Sequence, residues 1–96
     1  MAALRRVVID VLKPHEPTIL TFAERVAEVE SVDAVSTSLI ELDQEVQNVK
    51  ITAEGEAVEY DAVEDAIDDL GGTVHSIDQV AFGEYVVDER DTPQDA

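Results

Sequence analysis

The chain contains no cysteine, and basic residues are scarce. Without cysteine it can form no disulfide framework, no thiol nucleophile and no zinc or iron–sulfur site with thiolate ligands. Six Lys and Arg stand against 23 Asp and Glu, which gives a net charge of −17. Nucleic acids and anionic lipids are held by Lys and Arg, so the sequence predicts neither nucleic acid nor membrane as a partner.

Long apolar runs are also missing. After Arg5 and Arg6 the N-terminal segment alternates between apolar and polar residues, which is not the pattern of a signal peptide or of a membrane span. The sequence therefore predicts a soluble, cytoplasmic protein. Hydrophobic residues nevertheless make up 45% of the chain, enough for one core. We predict one domain over residues 1–87 and an acidic, disordered tail over residues 88–96.

The combination of a foldable core with an almost wholly acidic surface indicates adaptation to salt. In molar salt the Debye length falls to about 3 Å, which screens the repulsion between like charges. The sequence therefore favours a protein of the haloarchaeal type. An acidic domain that meets a basic partner or a metal ion is the alternative.

Alternation predicts the first strand over Leu4–Leu12, with Val7, Ile9 and Val11 on one face. The other face carries Arg6, Val8, Asp10 and Leu12. A helix follows from Pro17 to about Val29, with Glu16 expected at its N-cap. The helix presents apolar residues at spacings of three and four: Ile19, Phe22, Ala23, Val26 and Val29.

Three further strands and a second helix complete the pattern. Val35–Leu42 and Asn48–Glu54 are predicted as a hairpin around a turn at Asp43–Gln47. A helix is predicted over Glu59–Leu70, with Gly71-Gly72 as a left-handed C-cap. Thr73–Ala81 is the last full strand, and Glu84–Val87 is a candidate short edge segment.

The order strand, helix, strand, strand, helix, strand predicts an α+β, ferredoxin-like split fold. Its four-stranded antiparallel sheet has the order 4-1-3-2, and both helices cover one face. The opposite face is left bare and carries the mixed side of the first strand, together with Asn48, Lys50 and Thr52. We expect copies of the chain to cover this face and the edge strands by forming a homo-oligomer.

Three motifs occur together in order over nearly the whole domain. They are D-V-L-K-P-H-E-P at Asp10–Pro17, N-V-K-I-T-A-E-G at Asn48–Gly55 and G-G-T-V-H-S-I-D-Q-V at Gly71–Val80. In these motifs the chain resembles the archaeal domain-of-unknown-function family 211, or DUF211. The resemblance implies a ferredoxin-like fold that assembles into a closed homo-oligomeric ring, without an established activity. The strong acidity fits a halophilic member.

The two histidines are the main candidates for a binding site. If the first and last strands are antiparallel neighbours, Asp10, His15, Glu16 and His75 can gather at one edge of the sheet. Such a group of imidazoles and carboxylates could hold a divalent cation, with calcium or magnesium favoured by the carboxylates. The alternative is structural, with Glu16 capping the helix and His15 bonded to a backbone carbonyl or to a neighbouring subunit.

No arrangement of residues in the sequence is typical of an active site, so we predict a protein that is not an enzyme. Asp10 and Lys50 are expected to form an ion pair between adjacent central strands. The functional hypothesis is a ring-forming structural or regulatory protein of salt-adapted archaea that binds a divalent cation. The alternative is a small-molecule sensor like the ACT domains, with its ligand at a subunit interface.

Overall fold

The computed structural model describes residues 2–85, which form a four-stranded sheet and two helices. The elements in chain order are β1 (Leu4–Pro14), α1 (Ile19–Ala27), β2 (Ala34–Leu42), β3 (Val46–Glu54), α2 (Tyr60–Asp69) and β4 (Thr73–Phe82). The sheet order is β2-β3-β1-β4, and every neighbouring pair of strands is antiparallel. This is the predicted order read from the opposite edge, so the ferredoxin-like α+β fold is confirmed.

The core forms where the apolar face of β1 meets the two helices. Val7, Ile9 and Val11 are at most 1% exposed. They belong to one buried cluster with the apolar stripes of both helices and of β3, which include Phe22, Val26, Val49, Ile51, Ala53, Val63 and Ile67. The alternation of the sequence therefore identifies the inward faces of β1 and β3 correctly, because side chains in a strand point to opposite faces in turn.

The first strand is longer than its composition predicts. Lys13 and Pro14 continue β1 and pair with Gln47 and Val46 of β3. The predicted end at Leu12 and the predicted turn at Asp43–Gln47 are therefore wrong by two residues. Pairing of β1 with β4 stops at Leu12, so beyond that point β1 has one neighbour only and accepts a proline in the strand.

The helix ends follow local hydrogen bonds. Thr18, and not Glu16, is the N-cap of α1, and its hydroxyl accepts a hydrogen bond from the backbone N–H of Thr21 at 3.4 Å. The prediction that Pro17 opens the helix is wrong, because a threonine hydroxyl next to the first turn provides the preferred cap. After α2, Gly71 has a φ of +87°, which confirms the left-handed C-cap. The predicted segment Glu84–Val87 forms no strand at residues 84–85, and residues 86–96, which include the predicted tail, lie outside the described part.

The turn after β3 passes very close to the end of the α1–β2 connection. A Cβ atom on Gly55 would lie 2.3 Å from the backbone oxygen of Ser31. That backbone has little freedom to move, because the Ser31 hydroxyl accepts from Glu59 N–H at 2.9 Å and Asp33 N–H donates to Glu54 O at 2.7 Å. Only glycine fits at this position.

We therefore expect Gly55→Ala to lower the free energy of unfolding by about 3 kcal/mol, the upper range for overpacking. Denaturant unfolding in molar potassium chloride measures the change. Gly71→Ala is the comparison, because there the added Cβ meets only Pro14 at 3.6 Å and the cost comes from the positive φ alone. That variant should lose about 1 kcal/mol. An equal or smaller loss for Gly55→Ala would contradict the close approach.

Candidate functional site

Within residues 2–85 the structure brings no three of the four predicted metal-binding residues into one cluster. Asp10 lies in the middle of β1, with Lys50 and Ser76 as its cross-strand partners. Since β1 continues to Pro14, about five residues of extended chain separate Asp10 from His15, which is roughly 16 Å. Glu16 and His75 are both exposed. In residues 2–85 no group of three or more His, Asp or Glu side chains is arranged to hold a metal ion.

His15 has a structural contact instead. Its Nε2 lies 2.9 Å from the backbone oxygen of Asp43, which ties the loop before α1 to the turn between β2 and β3. The structural alternative for His15, a bond to a nearby backbone carbonyl, is therefore confirmed. The same alternative predicts that Glu16 caps the helix, and this part is wrong because Thr18 is the N-cap of α1.

Lys13 is a buried residue that the sequence analysis missed. Its side chain is 0% exposed and points to the helix side of the sheet, although lysine usually lies at the surface. The Nζ atom donates to Pro14 O and to Gln47 Oε1, each at 2.7 Å, and lies 5.2 Å from the centre of the Phe22 ring. Burial lowers the pKa of the Lys13 ammonium, an effect that the charge of Glu16 opposes. Lys13 thereby holds the end of β1 against β3 and α1.

The helix-free face of the sheet, which we call the open face, is mainly polar. Arg6 forms an ion pair with Glu54 at 2.7 Å and a hydrogen bond to Gln79 at 3.3 Å, so one row of contacts crosses three strands. The predicted pair between Asp10 and Lys50 is not formed: they are cross-strand partners, but the ion pairs of residues 2–85 involve neither. Arg6 therefore forms a cross-strand ion pair of the kind that the sequence analysis expects of Lys50.

Strongly exposed apolar side chains lie on the two edge strands. Three are on β2 and three on β4, and each is 46–63% exposed: Leu39, Ile40, Leu42, Ile77, Val80 and Phe82. By contrast, Val8 and Leu12, the aliphatic residues that β1 carries on the open face, are half-buried. Of the two surfaces that the sequence analysis expects copies of the chain to cover, the edge strands therefore carry the more strongly exposed apolar side chains.

These edge residues are exposed although both edge strands reach the core, against which Val35 of β2 and Val74 of β4 pack. Ile77 and Val80 pair with Ile9 and Val7, and Leu39 pairs with Val49. Residues directly opposite one another share a face of the sheet, so all three point to the helix side. Their partners on the central strands are fully buried, whereas these three edge positions are 46–51% exposed. An additional strand placed against either edge would extend this apolar surface.

In residues 2–85 no helix has the length and apolar character that crossing a membrane requires.

Comparison with known proteins assigns the chain to a family but not to a reaction. The model of the DUF211 family, described as uncharacterized ArCR, matches residues 5–96. The uncharacterized protein MJ0319 of Methanocaldococcus jannaschii is 43% identical over 95 residues, which cover 99% of this chain and 98% of that protein. Because the family match and this relative both cover nearly the whole chain, the chain belongs to the DUF211 family.

Proposed function

We propose that the protein is a non-catalytic, self-assembling module that forms a closed ring by pairing β4 of each subunit with β2 of the next. The observation that supports this most directly is that, within residues 2–85, β2 and β4 each pair on one side only and carry strongly exposed apolar residues. An open edge of this kind is a template for another strand. Pairing would satisfy the edge backbone groups and bury the apolar side chains in one step.

The strand directions suit a head-to-tail contact. β2 runs parallel to β1, since both are antiparallel to β3, whereas β4 runs antiparallel to β1. When copies follow one another in the same orientation, β4 of one subunit therefore meets β2 of the next as an antiparallel pair. Such a contact uses two different surfaces of each subunit, and repeated rotation closes it into a ring.

The side-chain faces also match across this contact. Within the subunit, Val35 and Val80 lie at the level of Val7, while Leu39 and Val74 lie at the level of Val11. Both edges therefore turn apolar side chains to the helix side at the same heights along the sheet. A register that keeps these levels, or shifts by two residues, keeps the apolar residues on one face. The paired edges would then form a continuous core between the helices of neighbouring subunits.

Charge sets the conditions in which this ring forms. Each subunit carries −17, so subunits repel one another until salt screens the interaction. We propose a protein of salt-adapted archaea whose ring is stable in molar salt. A divalent cation belongs to the proposal only as a bridge between subunits, because residues 2–85 of a single chain contain no metal cluster. His75, exposed on the edge strand β4, is the predicted ligand closest to such a contact.

A complementation experiment tests the head-to-tail contact. Leu39→Glu blocks the β2 edge and Val80→Glu blocks the β4 edge, because each places a charge among apolar residues of the paired strands. Each variant alone should be monomeric in molar potassium chloride. When the two are mixed, the intact β4 of the first variant meets the intact β2 of the second. We expect a one-to-one dimer by native mass spectrometry and by light scattering after gel filtration.

Leu20→Glu is the matched control, since Leu20 is at least as exposed as Leu39 and Val80 but lies on α1 and not on an edge strand. This variant should assemble like the natural protein. If Val80→Glu alone still forms dimers, then subunits pair through β2 about a two-fold axis and the ring proposal is wrong. A mixture of the two edge variants that stays monomeric contradicts the proposal as well.

A further inference from the structure

A cavity of about 370 Å³ lies on the open face of the sheet. Its lining comes from all four strands: Asp10, Ile40, Glu41, Asn48, Lys50 and Asp78. The lining combines three carboxylates, one amide, one ammonium group and one aliphatic side chain. Binding sites for small molecules are concave and bring a few polar groups together in this way.

The sheet is locally irregular where it borders the cavity. The pairing of β2 with β3 shifts between Leu39 and Glu41, so that Ile40 has no partner. The pairing of β4 with β1 shifts between Ile77 and Gln79, so that Asp78 has no partner either. Both unpaired residues line the cavity from opposite edges. Bulges redirect side chains and are frequent beside functional sites.

Two oxygens of the lining have no hydrogen-bond donor. Asp10 Oδ1 and Asn48 Oδ1 are buried and lack a partner in the described part of the chain, an arrangement that is unfavourable and rare. Lys50 is exposed and takes part in none of the ion pairs of residues 2–85. The terminal torsions of Asp and Asn are soft, so both side chains can turn these oxygens toward a donor in the cavity. Within residues 2–85 the site thus contains two hydrogen-bond acceptors without a donor, Asp10 Oδ1 and Asn48 Oδ1, and one ammonium group without an ion-pair partner, that of Lys50.

We propose that this cavity binds a free amino acid, a small molecule with a primary ammonium group and a carboxylate. The ligand ammonium would donate to Asp10 Oδ1 and Asn48 Oδ1, and its carboxylate would pair with Lys50. The lining carries two more carboxylates than ammonium groups, so a basic amino acid is favoured. The lack of a compact metal cluster in residues 2–85 agrees with a ligand of several atoms that spans strands about 4.8 Å apart.

This inference does not require ring formation, because all lining residues belong to one subunit. Calorimetric titration of the full chain in molar potassium chloride with L-lysine tests it. The second probe is 1,5-diaminopentane, which has the same two amino groups but no carboxylate, and the third is calcium or magnesium chloride. We expect L-lysine to bind once per subunit, and more tightly than 1,5-diaminopentane.

Variants assign the binding to the cavity. Asp10→Asn should weaken binding of L-lysine at least tenfold, whereas Lys50→Gln should remove the preference for L-lysine over 1,5-diaminopentane. Lys50 is exposed, so this second variant keeps the test decisive if Asp10→Asn fails to fold. Asp65→Asn, which removes an exposed charge from α2, is the matched control and should leave binding unchanged.

Three results would overturn the inference. The first is that L-lysine does not bind at millimolar concentration. The second is that Asp65→Asn weakens binding as much as Asp10→Asn does, which would indicate diffuse attraction to an acidic surface. The third is that calcium or magnesium binds once per subunit in an Asp10-dependent manner while L-lysine does not. In that case an inorganic cation fills the cavity.

Discussion

Lys13→Ala is expected to lower the free energy of unfolding by about 4 kcal/mol, more than any surface substitution. The side chain is fully buried, and truncation of a buried side chain of this size costs about 2–5 kcal/mol. Two acceptors, Pro14 O and Gln47 Oε1, would also lose their donor. An acceptor left unpaired in the interior costs about 1–3 kcal/mol. Denaturant unfolding in molar potassium chloride provides the measurement.

Lys13→Met separates packing from hydrogen bonding. Methionine keeps most of the volume against Phe22 and removes the buried charge. Because only the hydrogen-bond donors of Nζ disappear, Lys13→Met should lower the free energy of unfolding by about 1–2 kcal/mol. Lys50→Met is the matched control on the exposed side of β3 and should change stability by less than about 0.5 kcal/mol. A loss below about 1 kcal/mol for Lys13→Ala would contradict the buried position.

The pH dependence of the same variants provides an independent check. Burial lowers the pKa of Lys13, so between the folded and the unfolded pKa the unfolded chain binds more protons. The free energy of unfolding must therefore rise with pH as the pH approaches the unfolded value near 10.5, and Lys13→Met must lack this rise.

Titration of Tyr60 has the opposite effect on the free energy of unfolding at alkaline pH. Burial, with help from the charges of Glu64, Asp61 and Asp68, raises the pKa of Tyr60, so stability falls as the pH passes the unfolded value of 10.0. Tyr60→Phe removes this second effect and is the proper background for the comparison.

The buried lysine also shows how far alternation alone predicts a structure. Val7, Ile9 and Val11 were placed correctly because the period of a strand is two, and Lys13 occupies the next position of the same series. The sequence nevertheless predicts the end of the strand at Leu12, since proline usually ends a strand and lysine usually faces water. What makes the position possible is the set of acceptors from Gln47 and Pro14, and these are brought together only in the folded state.

The candidate sites depended more strongly on tertiary structure. The hypothesis for Asp10, His15, Glu16 and His75 depends on where the chain leaves β1, and the two additional residues of this strand increase the separation of Asp10 and His15. The exposed edges are only partly predicted, because the order of strands identifies β2 and β4 as edges but does not reveal which of their side chains the helices leave exposed. The cavity of the open face depends on two bulges, at Ile40 and Asp78, for which the sequence has no clear signal.

Stability should increase strongly with salt. In residues 2–85 only two ion pairs are found, Arg6 with Glu54 and Arg25 with Glu28 at 3.9 Å, so most carboxylates of this part of the chain form no ion pair. Two like charges about 10 Å apart in water repel by about 0.4 kcal/mol, and about ten such pairs amount to a few kcal/mol. Raising the salt from about 0.1 M to 1 M shortens the Debye length from about 10 Å to about 3 Å and removes most of this repulsion.

We therefore expect the free energy of unfolding to rise by about 3 kcal/mol between 0.1 and 2 M potassium chloride, which corresponds to about 15 °C in the midpoint of thermal unfolding. Thermal unfolding followed by circular dichroism across that series provides the measurement. If the free energy of unfolding does not depend on the potassium chloride concentration, the alternative interpretation of the acidic surface, binding of a basic partner, is favoured.

The C-terminal end of α2 provides the control that separates charge screening from general effects of salt on hydrophobic burial. Asp68 and Asp69 lie in the last turn, where the helix dipole disfavours negative charge, and that turn contains no basic residue. A variant with Asp65, Asp68 and Asp69 changed to Asn should be more stable than the natural chain at 0.1 M salt and should show a smaller slope. If the slope is unchanged, then salt acts through burial of apolar surface and not through these charges. The acidic helix face would in that case contribute solubility rather than salt-dependent stability.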